Sequence, residues 1–304
     1  MNTTFSRRTA LKSIAGGTAA VGAALTLPAR GQAAEGKVKG NIRHSVCKWC
    51  YGSTGLEKLA AKAASLGMES VELLNPPEFA AVKKHDLICA MVSFPVGTLK
   101  DGKTRVGGIG RAFNRLEHHD TLVEVYEQRI KETAKAGFRN LICFSGNRAG
   151  MDDETGLKNC AIGLKRILPI AERHNVTIAM ELLNSRVNHK DYMCDRTAWG
   201  VELCKAIDSE RFGLLYDIYH MQIMEGDLIP TVRANLDSIR HIQVADNPGR
   251  NEPGTGEINY RNVFKAIYDL GFKGFLGLEL SPSIKKEPEG SERIFQSIVD
   301  ADKF

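Results

Sequence analysis

Short, almost uninterrupted apolar runs alternate along the chain with longer stretches whose apolar residues recur every three or four positions. The runs cover 42–49, 70–74, 87–94, 140–145, 177–184, 212–219, 239–246 and 275–281, eight in all. They are too short for helices and are bounded by turn residues, so they predict strands. The amphipathic stretches between them, among them 56–66, 122–136, 157–174, 198–207, 228–239 and 260–270, predict helices. Gly67, Gly137 and Gly271 fall just past three of these, where a helix end takes the left-handed conformation that glycine adopts freely. Asp227 and Asn259 fall where N-caps belong.

Strands that are apolar on both faces and separated by helices require right-handed crossovers and a parallel sheet covered on each side. Eight such units predict an α/β fold, a (β/α)8 TIM barrel in a single domain. A doubly wound open sheet is the alternative. No G-x-G-x-x-G follows the first run, which argues against its dinucleotide-binding form. No Pro/Ser-rich linker divides the pattern. The glycine-rich, basic segment 97–117 is longer than a plain connector and predicts a lid.

The first 33 residues stand apart from this pattern. They contain Arg7, Arg8, Lys12 and Arg30 and no acid, whereas the whole chain has a net charge of +5. Most of the excess charge therefore belongs to the leader, and a body so nearly neutral argues against a nucleic-acid partner. Ser6-Arg7-Arg8-Thr9-Ala10-Leu11-Lys12, an uncharged Ala/Gly-rich stretch over 13–29 and the small-x-small site Gly31-Gln32-Ala33 together resemble a twin-arginine export signal. The stretch falls short of the ~20 apolar residues that span a bilayer. The expectation is a signal over 1–33, a mature barrel over 34–304, the twin-arginine export machinery as partner, and a periplasmic destination. That route carries folded proteins, often with a cofactor in place, which is a first hint of a metal.

Seven cysteines, an odd number, are spread over the chain. Cys47-x-x-Cys50 has the spacing of a redox pair or half a zinc site. No second Cys/His pair at finger spacing accompanies it, and Cys89, Cys143 and Cys204 lie within apolar runs. Buried thiols are expected.

In a (β/α)8 barrel all strands point one way, and chemistry sits on the rim formed by their C-terminal ends. Each of the last four strands ends in a polar residue that an apolar strand has no packing reason to hold: Glu181, Asp217, Gln243 and Glu279. Three carboxylates brought together repel and take up protons unless a cation joins them. Four oxygen ligands suit a hard divalent ion, Mg2+ or Mn2+, with Co2+ also open, whereas zinc would favour His and Cys. His220 lies just beyond Asp217. Arg250 sits in a glycine-rich loop after the seventh strand and could hold a carboxylate or phosphate bidentately.

Tyr216-Asp217-Ile218-Tyr219-His220-Met221-Gln222, Gln243-Val244-Ala245-Asp246-Asn247-Pro248 and Glu252-Pro253-Gly254-Thr255-Gly256-Glu257-Ile258-Asn259-Tyr260 are long, specific motifs. In them the chain resembles the hydroxypyruvate isomerase family, within the xylose-isomerase-like barrels, and a weaker likeness runs over 41–295. The resemblance implies a divalent metal held by Glu181, Asp217, Gln243 and Glu279. Related ketose epimerases usually carry His where Gln243 stands. It further implies an aldose–ketose isomerase converting hydroxypyruvate to 2-hydroxy-3-oxopropanoate through an enediolate. In that chemistry Glu181 and Glu279 exchange the proton, and His220, Arg250 and Lys48 position the substrate. A ketose 3-epimerase or other sugar isomerase remains an alternative, as does a noncatalytic periplasmic sugar-binding barrel. The partner is thus a small hydroxy-carbonyl or sugar substrate, and a homo-oligomer stays open. The endonuclease branch needs a His-rich zinc cluster and a basic body, and the sequence shows neither.

Overall fold

The computed structural model describes residues 36–304 apart from Ser53. The expected export signal and its boundary at residue 33 lie outside these residues. In chain order the strands are β1 (Arg43–Cys47), β2 (Ser70–Glu72), a short hairpin of β3 (Gly97–Thr98) and β4 (Arg105–Val106), β5 (Asn140–Cys143), β6 (Thr177–Glu181), β7 (Phe212–Asp217), β8 (Ile239–Val244) and β9 (Phe275–Leu278). Apart from the hairpin they form one parallel sheet in the order β2-β1-β9-β8-β7-β6-β5. Parallel bridges from residues 88 and 92 to Ser70 and Leu74 on one side, and from residue 92 to Leu141 on the other, close this sheet into a barrel. The TIM barrel read from the apolar runs is the fold.

All eight runs thus lie in the barrel wall, but the third, expected over 87–94, pairs only at single residues. Side chains take over its backbone groups: Ala90 N donates to Ser70 Oγ (2.8 Å), and Ala90 O accepts from Asn140 Nδ2 (2.8 Å). A ladder needs those groups for the neighbouring strands.

The larger helices are α1 (Leu56–Ser65), α2 (Phe79–Lys83), α3 (His119–Lys135), α4 (Asp153–His174), α5 (Thr197–Ile207), α6 (Ile218–Met224), α7 (Leu228–Asn235), α8 (Tyr260–Asp269) and α9 (Glu289–Ala301). Every residue of β6, β7 and β9 is buried, as strands must be when the barrel interior lies on one face and helices on the other. Asn259 caps α8 by accepting from Asn262 N at 3.2 Å. Asp227 occupies the corresponding position before α7, but its φ of 45° turns the side chain away and it makes no cap bond.

The segment 97–117, expected as a lid, is tied down at two places in this structure. Asp101 ties the hairpin turn by accepting from Lys103 N and Thr104 N, both at 2.8 Å. Beyond it Ala112, Phe113 and Asn114 are buried, and Asn114 N donates to Ser145 O at 2.8 Å. Gly107 makes the fold-back possible, because a Cβ there would lie 2.3 Å from Pro95 O.

Candidate active site

The strand direction places the ends of β6 to β9 on one rim. Glu181 and Asp217 are the last residues of β6 and β7, Gln243 is the penultimate residue of β8, and Glu279 follows β9 directly. Asp217 and Gln243 are register partners, and so are Gln243 and Gly277. All four side chains are buried.

Gln243 shows how the group is arranged. The end of its amide that faces the rim lies 2.9 Å from Glu279 Oε2 and 3.1 Å from Glu181 Oε1, where its NH2 can donate to both carboxyls. Asp217 Oδ2, close by, is buried with no hydrogen-bond partner among the described residues. With its oxygen turned to the carboxyls instead, the Gln243 amide would leave oxygens about 3 Å apart, the spacing that neighbouring ligands of an octahedral Mg2+ or Mn2+ ion show when each bond is ~2.1 Å. The donor set fits a hard divalent cation.

Arg250 supplies the positive charge present in the chain itself. Its Nη2 donates to Glu279 Oε2 at 2.9 Å and lies 3.8 Å from Asp217 Oδ2. The guanidinium sits 5.4 Å from the Trp49 ring centroid and 5.6 Å from that of Tyr219, while its Nε has no partner. Burial alone would lower its pKa, but Glu279, Asp217 and Glu181 outweigh burial and hold it above its ordinary value.

His220 enters the same cluster: one ligand atom from each of Glu181, Asp217 and His220 lies within 4.8 Å of the others. Its tautomer follows from Asn184. Asn184 Oδ1 accepts from Val187 N (3.0 Å) and Asn188 N (2.9 Å), so the amide nitrogen must be the atom 2.6 Å from His220 Nδ1. Nδ1 is then an acceptor, and the proton of the neutral ring sits on Nε2. Burial, Arg250 and His189 all push the His220 pKa well down, which keeps the ring neutral. Nε2 lies 3.7 Å from Asp217 Oδ2 and has no hydrogen-bond partner, so it offers a donor and no lone pair.

The carboxyls are not equivalent. Burial raises Glu181 well above the usual range, and Glu279 and Asp217 raise it further. Burial also raises Glu279, but there Arg250 and a hydrogen bond from Trp49 Nε1 to Oε1 (3.0 Å) oppose it. Asp217 is pushed up to about 7 by burial against the pull of Arg250. A carboxyl with a raised folded pKa stabilises below its unfolded value, about 4, and that contribution is lost as pH rises through about 7. Metal-free protein should therefore lose thermal stability between these values, and Asp217→Asn should flatten the slope. Melting midpoints in chelator at pH 5 and pH 8 test this; equal slopes in wild type and variant would refute it.

The structure thus brings together Glu181, Asp217, Gln243, Glu279, His220 and Arg250. Lys48, expected to meet a substrate carboxylate, instead pairs with Glu78. Lys48 and Trp49 share a single 3-10 turn (Lys48–Tyr51), in which successive side chains point about 120° apart. Trp49 accordingly turns toward Glu279 and Lys48 toward Glu78. Trp49, Tyr219 and Asn184 are site residues that sequence reasoning missed. Cys47 and Cys50 are buried free thiols, as expected.

The family described as xylose isomerase-like TIM barrel matches residues 60–297. Hydroxypyruvate isomerase of Escherichia coli (strain K12) is 30% identical over 234 residues, covering 74% of this chain and 88% of that protein. A 2-oxo-tetronate isomerase of Cupriavidus necator is 30% identical over 244 residues, covering 75% of this chain and 87% of that protein. Among solved structures, an AP endonuclease of family 2 from Brucella melitensis superimposes with a TM-score of 0.72 over 83% of this chain and 96% of that one; at 22% identity this likeness concerns the fold.

Proposed function

The chain is an isomerase of the xylose isomerase-like TIM-barrel family, and we propose that it interconverts short 2-oxo-3-hydroxy acids with their 2-hydroxy-3-oxo isomers, hydroxypyruvate first among them. The observation that carries this reading is the convergence of three buried carboxyls, Glu181, Asp217 and Glu279, and the Gln243 amide on one rim, with Asp217 Oδ2 lacking a hydrogen-bond partner among the described residues. Glu181, Asp217, Gln243 and Glu279 would hold a divalent cation, Mg2+ or Mn2+. Such an ion supplies Lewis-acid stabilisation of negative charge on the substrate oxygens.

The side chains supply the rest. In hydroxypyruvate the C3–H bond breaks and a C2–H bond forms, while the C3 hydroxyl proton passes to the oxygen on C2, through an enediolate. Glu279 accepts from Trp49 and Arg250, which favour its ionised form and suit it to take the C3 proton. Glu181 has neither of these donors and is suited to deliver the proton at C2. The His220 Nε2–H is available to donate to the substrate oxygen that becomes negative, and Arg250 Nε–H to meet the substrate carboxylate.

The test is C–H exchange in D2O with added Mn2+ or Mg2+, over hydroxypyruvate, 2-oxo-tetronate and common ketoses. Exchange at C3 of hydroxypyruvate, abolished by chelator, is expected. Exchange confined to ketoses would favour a 3-epimerase, and binding without exchange a noncatalytic barrel.

The export signal belongs to the same proposal: the body folds and takes its metal in the cytoplasm, then works in the periplasm. Replacing Arg7 and Arg8 by lysine should strand the precursor in the cytoplasm while the purified protein keeps its activity. Cell fractionation checks it; wild-type protein retained in the cytoplasm with an unprocessed N-terminus would overturn it.

A further inference from the structure

We propose that Asn184, in the loop after β6, is a positioning residue that fixes the His220 proton on Nε2, so that the ring faces the rim as a hydrogen-bond donor and stays out of the metal ligand set. A neutral imidazole can turn either a donor or a lone pair toward its neighbours, and the hydrogen bond at the other nitrogen decides which. Here the choice matters. His220 Nε2 lies 3.7 Å from Asp217 Oδ2, and one ligand atom from each of Glu181, Asp217 and His220 lies within 4.8 Å of the others. With a lone pair on Nε2 the ring could join a cation held by those carboxyls; with a proton there it can only donate. The use of that donor on a substrate oxygen rests on the isomerase reading above, whereas the tautomer does not.

The partners of Asn184 commit it to this part. It is fully buried, and all four of its hydrogen-bonding positions are taken. Oδ1 accepts from Val187 N at 3.0 Å and from Asn188 N at 2.9 Å, which holds the turn after β6. Nδ2 donates to Asn188 Oδ1 at 2.8 Å with one hydrogen, leaving the other for His220 Nδ1 at 2.6 Å. Asn188 Oδ1 also accepts from Tyr219 Oη at 3.0 Å, so its acceptor end is fixed from a second side. Turning the Asn184 amide over would set donor against donor at the backbone and acceptor against acceptor at Asn188. The His220 main chain is held as well, its N donating to Asp217 Oδ1 at 3.1 Å. What remains is the buried Nε2, which has no partner among the described residues. An unmet buried donor costs free energy, and a bound substrate oxygen would recover it.

Asn184→Asp keeps the shape and an acceptor for the turn but has no N–H to give, so His220 must carry a proton on Nδ1 to bond to it. Long-range 1H–15N NMR on metal-free protein labelled at histidine reads this without turnover, with His220→Gln identifying the resonances. Wild type should show Nδ1 bare and Nε2 protonated, and saturating Mg2+ should leave that proton in place. Asn184→Asp should show Nδ1 protonated. Where the proton has left Nε2, kcat for C3–H exchange should fall about 10^2- to 10^3-fold with Mn2+ saturating, the usual cost of one preorganised donor at developing charge. If Asn184→Asp does not fold, Asn184→Ser, too short to reach Nδ1, should show both tautomers. A proton on Nδ1 in wild type, a bare Nδ1 in Asn184→Asp, or loss of the Nε2 proton on adding Mg2+ would each overturn the inference. Wild type with the expected tautomer but no exchange on hydroxypyruvate or 2-oxo-tetronate would instead overturn the isomerase reading and leave the part of Asn184 standing.

Discussion

Glu181→Gln and Glu279→Gln should each lower turnover by about two to four orders of magnitude with Mn2+ saturating, because an amide cannot carry the proton that the reaction moves. Both substitutions keep shape and an oxygen, so metal binding and fold should largely survive. The two variants should differ in how they fail. With Glu279 taking the C3 proton, Glu279→Gln should abolish deuterium entry at C3 of hydroxypyruvate as well as product formation. Glu181→Gln should still exchange C3–H with D2O while forming little product, since the enediolate returns to starting material. Single-turnover NMR in D2O separates these cases. Exchange preserved in Glu279→Gln and lost in Glu181→Gln would reverse the assignment, and near-wild-type turnover in both would remove it.

The asymmetry behind that forecast lies partly within reach of the sequence and partly beyond it. Carboxylates at the ends of apolar strands are visible in the pattern because nothing in packing calls for them. The barrel then forces Glu181, Asp217, Gln243 and Glu279 onto one rim, whatever the loops do. Glu72 carries the same signal, an acid ending a short apolar strand, yet its carboxylate meets His241 in space left by Gly277, two strands away in the sheet. No local pattern encodes that space. Trp49 and Lys48 are neighbours, and a single 3-10 turn decides which of them reaches Glu279. The His220 tautomer depends on Asn184, which comes from the loop after β6. The broken third strand was legible as an apolar run, but the Ser70 and Asn140 side chains that replace its ladder bonds belong to the strands on either side.

Arg250 should be the site residue least tolerant of a conservative change. It is the one side-chain cation within 4 Å of both Glu279 and Asp217 among the described residues, and it lies near both the Trp49 and the Tyr219 ring. A guanidinium can face aromatic rings and present several N–H donors at once, whereas an ammonium is a strongly hydrated point charge on a flexible stem. Its backbone φ of 55° adds a constraint, because the loop after β8 presents it from a left-handed position. Arg250→Met should lower kcat/KM for hydroxypyruvate by about 10^2- to 10^3-fold, within the usual cost of removing one partner of a buried, hydrogen-bonded charge pair. Arg250→Lys should recover little of it. The loss should divide by substrate. If Arg250 Nε–H meets the substrate carboxylate, an uncharged ketose that replaces the carboxylate with a hydroxymethyl group, such as dihydroxyacetone, should suffer less from Arg250→Met than hydroxypyruvate does. C–H exchange rates for the pair in wild type and variant give that ratio directly. An equal loss for both would leave Arg250 as the counter-charge of Glu279 and Asp217 and take away its role in reading the acid.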